Sequence, residues 1–173
     1  METICYATCP TPWVSLLVAS SAQGLLAVRF IQKGGEKAAL ASLRKTYPGA
    51  ELVHSPQANQ KALEELEAYA QGKLRSFTVP LDLQGTPFQM KVWKALCRIP
   101  FGGTKSYAAI ARAVGRPEAY RAVGMASRTN PVCIVVPCHR VIGSDGDLCG
   151  FGGGLKLKRE LLEHEQRQGI SKA

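Results

Sequence analysis

Apolar and polar positions follow two different periods along this chain. Two short apolar runs, Trp13-Val14 with Leu16 through Ala19 and then Leu25 through Ile31, flank the small and polar segment Ser20-Ser21-Ala22-Gln23-Gly24. That pattern predicts a hairpin with strands over 13–19 and 25–31. Helical spacing then takes over. One helix is predicted over 36–47 and another over 56–71, where Ala62, Leu66 and Tyr69 share a side and Glu64, Glu65 and Glu67 lie off it. A short strand over 77–83 closes this half, and Gln84-Gly85 marks a boundary.

Beyond the boundary, Thr86 reads as an N-cap, Pro87 as the first helical residue and Gln89 as the capping-box partner. Phe88, Val92 and Leu96 line one face of that helix; Lys91, Lys94 and Arg98 line another. After Gly102-Gly103, a second helix places Tyr107, Ile110, Ala111 and Val114 at i, i+3, i+4, i+7, and Gly115-Arg116-Pro117 leads into a third over 118–128. In the third, Ala119, Ala122, Val123 and Ala126 are expected inward, with Arg121, Gly124, Met125 and Arg128 outward. Two short helices across a tight turn resemble a helix-turn-helix, a pattern shared by purely structural helical hairpins. An apolar strand over 133–136 and a last helix over 155–166 complete the prediction. No repeat is visible, and the organisation expected is two domains, 1–84 and 85–173.

Charge changes this picture more than composition does. The 173 residues are 46% hydrophobic, enough for a real core, and carry a net charge of +9. Residues 1–80 hold eight Lys/Arg against six Asp/Glu, whereas residues 91–140 hold nine basic residues and a single acid, Glu118. Such a concentration suits a polyanion, nucleic acid above all, and equally a solvated basic face. The stretch 13–30 is broken by Ser15, Ser20, Ser21, Gln23 and Gly24, which excludes a transmembrane helix or secretory signal there. Six cysteines without a Cys-x-x-Cys pair point to a reducing compartment rather than a disulfide framework.

The chemistry centres on Pro137-Cys138-His139-Arg140-Val141. A free thiol is only about 3% thiolate at neutral pH, and an adjacent base raises that share. Asn130-Pro131 stands before the apolar run, where an asparagine side chain can hold a turn. In the last helix Lys158, Leu161, Leu162 and Glu165 share one stripe, so two ionisable groups lie among apolar ones. Glu165 either orients His139, which then takes the Cys138 proton, or forms a plain pair with Lys158. Gly150-Phe151-Gly152-Gly153-Gly154 lacks nucleotide-binding spacing and reads as a loop whose amides line a pocket. Cys5, Cys9 and His54 make a poor zinc set.

Together these residues resemble the O6-alkylguanine-DNA alkyltransferases, a match covering residues 85–165: Thr86-Pro87-Phe88, Ser106-Tyr107, Arg121-Ala122-Val123-Gly124, Asn130-Pro131, Pro137 through Val141, Gly150 through Gly154, and Leu161-Leu162 to Glu165. The resemblance implies an α/β protein with a ribonuclease-H-like N-terminal domain and a winged-helix-like C-terminal domain. It implies a DNA repair methyltransferase acting on double-stranded DNA with alkylated bases and no cofactor; members that bind zinc use N-terminal Cys and His ligands, of which only Cys5 has a counterpart here, so no structural metal is expected. Cys138 would accept the alkyl group irreversibly, with His139 and Glu165 activating it and Asn130 joining the binding helix to the active-site segment. Tyr107, the Val141 carbonyl, the Gly152 amide and Lys158 would hold the base, while Arg121, Ala122, Gly124 and Arg128 meet DNA and Arg121 replaces the flipped nucleotide. A monomer in solution is implied, in the cytoplasm of a prokaryote or the nucleus of a eukaryote; cooperativity on DNA and activity on O4-methylthymine stay open. Many bacterial members carry a bulky aromatic where Gly153 sits, so a pocket open to larger adducts is expected. The rivals are a lesion sensor of the alkyltransferase-like type, which lacks the cysteine, a Cys-His-Glu hydrolase, which leaves the basic helices unexplained, and a transcription regulator, which leaves the thiol unexplained.

Overall fold

The computed structural model describes residues 2–170. The chain forms two compact units. One runs to Leu83 and takes in Pro131–Cys133; the other comprises Gln84–Asn130 and the chain from Ile134 onward.

The first unit contains β1 (Thr3–Cys9), β2 (Leu16–Ser20), β3 (Leu25–Phe30), α1 (Gly35–Thr46), β4 (Glu51–His54) and α2 (Gln60–Ala70). The sheet order is β3-β2-β1-β4, antiparallel except for the parallel pair β1–β4. The β2–β3 hairpin is the one expected from the pattern. Its turn closes with Ser21 N–H donating to the Gly24 carbonyl. Gly24 has φ +154°, and a Cβ there would lie 2.6 Å from the Pro80 carbonyl oxygen, so glycine alone fits. Ile4, Leu17, Ala19, Leu26 and Ala27 form a fully buried core with Leu43 of α1. The stripe Ala62, Leu66 and Tyr69 of α2 is buried as its spacing requires.

Three expectations for this unit need correction. β1 and β4 had not been foreseen: β4 is four residues long, mostly exposed, and exists through its ladder with β1 rather than any local pattern. The helix expected over 56–71 begins as a 3-10 turn, Gln57–Asn59, before α2. The strand expected over 77–83 reduces to one bridge between Leu81 and Leu25. Pro80 has no N–H, so it only accepts, from Leu25, while Asp82 N–H donates to the Leu25 carbonyl. A second bridge joins Val132 to Val28. These two bridges occupy the outer edge of β3, which would otherwise offer open backbone groups to another strand.

The second unit contains α3 (Pro87–Leu96), β5 (Lys105–Ser106), α4 (Tyr107–Ala113), α5 (Tyr120–Arg128), β6 (Val141–Ile142) and α6 (Leu155–Ile170), with β5 and β6 paired in parallel. The capping box opens α3: Gln89 N–H donates to Thr86 Oγ1 at 3.2 Å and Thr86 N–H to Gln89 Oε1 at 2.8 Å. Ser106 caps α4 by accepting from Ala109 N–H at 3.0 Å. Trp93, absent from the predicted stripe, is buried and donates its Nε1–H to the Ala126 carbonyl at 2.8 Å, fastening α3 to α5.

Helix α5 starts at Tyr120, two residues later than expected, and its inward stripe is Val123, Ala126, Ser127 and, beyond its end, Asn130. Ala122, expected inward, is exposed beside Arg121, Met125 and Arg128. The expected set has the same i, i+3, i+4, i+7 spacing as the observed one, so period alone could not choose between them; tertiary contacts such as the Trp93 bond to the Ala126 carbonyl set the phase. Helix α6 runs past the expected end to Ile170. Among the described residues no helix is long and apolar enough to cross a membrane.

Trp93→Phe is expected to lower stability by about 2 kcal/mol in urea unfolding, from lost ring volume and a lost hydrogen bond. Thr129 Oγ1 also donates to the Ala126 carbonyl at 3.2 Å and remains as its partner. Adding Thr129→Val removes that donor as well, so the double variant should lose more than the sum of the two singles.

Candidate active site

The chain leaving α5 has to turn sharply, and Asn130 fixes how. Its Nδ2 donates to the Val136 carbonyl at 2.8 Å, pinching residues 131–136 into a loop. Within that loop Ile134 takes φ +72°, a left-handed conformation that costs a β-branched residue on the order of 1–2 kcal/mol. No apolar strand therefore runs over 133–136; the segment is buried and irregular because the Asn130 clasp and the turn at Ile134 prevent extension. It delivers Pro137 into a 3-10 turn, Cys138–Arg140, whose three residues are all buried, Cys138 at 5% exposure. Cys138 N–H donates to the Val136 carbonyl at 2.8 Å, so one carbonyl ties the thiol-bearing residue and Asn130 together.

The turn meets α6 through Glu165, which is fully buried. His139 Nε2 lies 2.7 Å from Oε1, Arg140 Nε lies 2.9 Å from Oε2, Arg140 Nη2 lies 2.9 Å from Oε1, and Gly102 N–H donates to Oε2 at 3.0 Å. Burial by itself would raise the Glu165 carboxyl; the hydrogen bond from His139 and the Arg140 guanidinium outweigh it and hold the group well below the usual carboxylate range. An ionised carboxylate only accepts, so His139 must donate Nε2–H. Burial lowers His139 below its ordinary value despite Glu165, with Arg140 and Lys158 pushing the same way, so the imidazole is neutral near pH 7. Its other nitrogen, Nδ1, is then a lone pair, buried and without a hydrogen-bond partner among the described residues.

Lys158, also fully buried, does not pair with Glu165. Its Nζ donates to the Val141 carbonyl at 2.6 Å and to the Leu148 carbonyl, and it lies 5.8 Å and 5.9 Å from the ring centres of Tyr107 and Phe151. Burial lowers its proton affinity, partly offset by the Cys149 and Cys138 thiols and Asp147. Burial, with the same two thiols nearby, pushes the Tyr107 hydroxyl up to about 12, so it stays a donor at neutral pH. A cavity of about 540 Å³ opens beside Tyr107, bounded by Arg121, Gly124 and Arg128 on one side and Ser144, Cys149 and Gly150 on the other. A Cβ on Gly124 would sit 3.9 Å from the Tyr107 ring. Arg121 is exposed, its guanidinium 5.8 Å from the Tyr120 ring centre. Gly152 lies exposed in the loop before α6.

Thus Cys138, His139, Glu165 and Asn130 fall in one connected cluster, and Tyr107 and Lys158 neighbour the thiol. Arg121, Ala122 and Arg128 lie on an exposed helix face. Arg140 was missed. A signal existed: an arginine inside the apolar stretch from Val132 to Val141 must be paired if buried, and Glu165 was the nearest unexplained acid on an apolar stripe.

A buried thiol beside an oriented imidazole, on a helical unit with a basic exposed face, defines a protein that performs cysteine chemistry next to a polyanion. The family models agree: residues 4–83 match the 6-O-methylguanine DNA methyltransferase ribonuclease-like domain, and residues 87–167 match the DNA binding domain of the same proteins. The chain belongs to the 6-O-methylguanine DNA methyltransferase family. It is 44% identical over 156 residues to the methylated-DNA–protein-cysteine methyltransferase of Methanosarcina barkeri, covering 90% of this chain and 93% of that one. The inducible methylated-DNA–protein-cysteine methyltransferase of Bacillus subtilis is 44% identical over 166 residues, covering 91% and 92%. The crystal structure of Mycobacterium tuberculosis O6-methylguanine methyltransferase superposes with a TM-score of 0.82 at 42% identity, covering 95% of this chain and 94% of that one. The same organism's OGT in complex with DNA gives 0.81 at 40% identity, covering 96% and 94%.

The cluster also sets acid sensitivity. His139 is held below its ordinary 6.5, so under acid the unfolded chain takes up a proton that the folded chain resists. Glu165 is held below its ordinary 4.5, so it too is protonated first in the unfolded chain. Both make the unfolded state bind more protons, and stability falls as pH drops through about 6.5 and again below 4.5. Urea midpoints recorded from pH 8 to about 4 should decline in that order, and His139→Gln should flatten the upper part of the decline.

Proposed function

We propose that this protein repairs DNA by moving the alkyl group of O6-alkylguanine onto Cys138. The observation that carries this reading is the committed imidazole: Nε2 of His139 is bound to Glu165, which leaves Nδ1 of the residue next to Cys138 as a buried, unbonded lone pair. His139 Nδ1 takes the Cys138 proton through a bridging water, and Glu165 stabilises the imidazolium that results. The thiolate attacks the alkyl carbon in line, the S–C bond forms and the C–O6 bond breaks, its electron pair leaving with guanine. Tyr107, protonated at neutral pH, gives its proton to the departing base and is reprotonated from the His139 imidazolium through solvent, so the net proton moves from sulfur to guanine. Lys158 places a positive charge near the thiol and braces the Val141 and Leu148 carbonyls. The Val141 carbonyl keeps a second lone pair for the guanine amine; that role and the Gly152 amide's contact with O6 rest on the match to the family pattern. A thioether has no leaving group that restores the thiol, so each molecule acts once and no cofactor is required.

The DNA side uses the exposed face of α5. Ala122 lets the helix approach the minor groove closely, Arg128 meets phosphate, and Arg121 fills the stack left by the flipped nucleotide. Gly124, against the Tyr107 ring, leaves the cavity open for the extruded base. Residues 85–173 act as the DNA-binding and catalytic domain and 1–84 as its ribonuclease-H-like companion. The protein works as a monomer wherever the genome lies, cytoplasm in a prokaryote or nucleus in a eukaryote. A sensor that binds lesions without repairing them has no use for Cys138.

With duplex DNA carrying labelled O6-methylguanine, label should move to protein up to one equivalent, and Cys138→Ser should abolish transfer while retaining DNA binding; turnover beyond one equivalent refutes the reading. For Arg121→Ala, repair of duplex should fall about tenfold or more, far beyond any loss with free O6-benzylguanine. Equal losses on both would remove Arg121 from base extrusion.

A further inference from the structure

Arg140 follows Cys138 and His139 in the same turn, is 5% exposed, and cannot shed its charge at any pH a protein survives. Each of its three nitrogens has an acceptor. Nε lies 2.9 Å from Glu165 Oε2 and 3.2 Å from Oε1, Nη2 lies 2.9 Å from Oε1, and Nη1 donates to the Ile99 carbonyl at 2.6 Å. The guanidinium carbon sits 5.8 Å from the Phe101 ring centre. With His139 on Oε1 and Gly102 N–H on Oε2, both carboxylate oxygens are saturated. The donors and the adjacent cation stabilise the negative charge, so Glu165 is too weak a base to pull the Nε2 proton off the ring. Without the cation, a buried carboxylate and imidazole would share that proton and His139 could adopt either tautomer.

We infer that Arg140 is a positioning residue for alkyl transfer: by fixing Glu165 as an ionised, fully occupied acceptor, it obliges His139 to point Nε2–H at Glu165 and the Nδ1 lone pair at the thiol. The inference rests on the proposed role of Cys138 as acceptor. The other charged or titratable groups facing His139 are Glu165 and Lys158 from α6, with the Cys97 thiol at the end of α3 beside Arg140. Of these only Glu165 favours the imidazolium; Arg140 and Lys158 oppose it, which keeps the ring ready to receive a proton. A merely structural Arg140, clipping Ile99 to α6, would leave tautomer and proton affinity alone.

The test follows Cys138 reactivity toward iodoacetamide against pH, read by peptide mass with Cys5 of the first unit as the internal control, in wild type, Arg140→Met and Arg140→Lys. Arg140→Met should move the acid limb of the Cys138 profile up by about one pH unit. Arg140→Lys keeps the cation but not the fork, so it should hold the limb near wild type while the plateau rate drops about tenfold. Nitrogen-15 NMR of histidine-labelled wild type should show His139 as the Nε2–H tautomer near neutrality. Either an unchanged profile in Arg140→Met, or an Nδ1–H His139 in wild type, overturns the inference. Should Arg140→Met not fold, the lysine variant and the wild-type tautomer decide the matter. Iodoacetamide needs no DNA, so failure of methyl transfer with this profile intact would refute the proposed function while leaving Arg140's control of the His139 tautomer and of Cys138 reactivity standing.

Discussion

A carboxylate withdrawn from water loses hydration worth several kcal/mol, and Glu165, with no exposed surface, recovers it through the Arg140 guanidinium, the His139 ring and the Gly102 amide. This ion pair constrains the rest of the second unit. The Gly102 amide must reach Oε2, which fixes the loop after α3. The Ile99 carbonyl must meet Arg140, which fixes the end of that helix. The His139 ring is then held with one nitrogen committed and the other bare. Replacing the pair by apolar side chains of like volume could preserve the fold. It could not leave a neutral imidazole with a defined lone pair next in sequence to Cys138, and under the proposed function that is what the ionic arrangement is for.

Much of this was legible in the sequence, and the reasons are local ones. Thr86, Pro87 and Gln89 announce α3 because a capping box is a short-range geometry. The stripe carrying Lys158 and Glu165 could be read as buried because helical period places both with Leu161 and Leu162. Spacing could not tell which partner each ionisable group takes. The stripe leaves a Lys158–Glu165 pair open, while the fold sends Lys158 to the Val141 and Leu148 carbonyls and Glu165 to Arg140 and His139. Tertiary position decides that, and tertiary position is invisible to a period.

The misread strands share one cause. An apolar run such as 133–136 looks extended because burial and strand formation select the same residue types. Here a long-range side-chain bond, Asn130 to the Val136 carbonyl, overrides the tendency and Ile134 takes the unfavourable backbone angle. Strand β4 shows the converse: four residues of little pattern pair because β1 lies open beside them. Ala122 differs again, since a short alanine-rich helix gives the inward and outward faces nearly equal apolar character, and its phase is fixed by contacts such as Trp93 with Ala126.

Helix α5 links its exposed basic face to the thiol within very few bonds. Its exposed face carries Arg121 and Arg128, its inner face is held by Trp93, and Asn130, two residues past its end, grips the carbonyl that also accepts from the Cys138 amide. Under the proposed function, the depth at which the helix seats in the groove therefore sets the distance between the sulfur and an extruded base, with no flexible segment to absorb error. In-line displacement tolerates misplacement of about an ångström only at a hundredfold cost in rate. A stiff connection serves such a reaction better than a hinged one. It also accounts for the strained Ile134: relaxing that residue toward extended backbone would lengthen the path from Asn130 to Val136 and loosen the clasp.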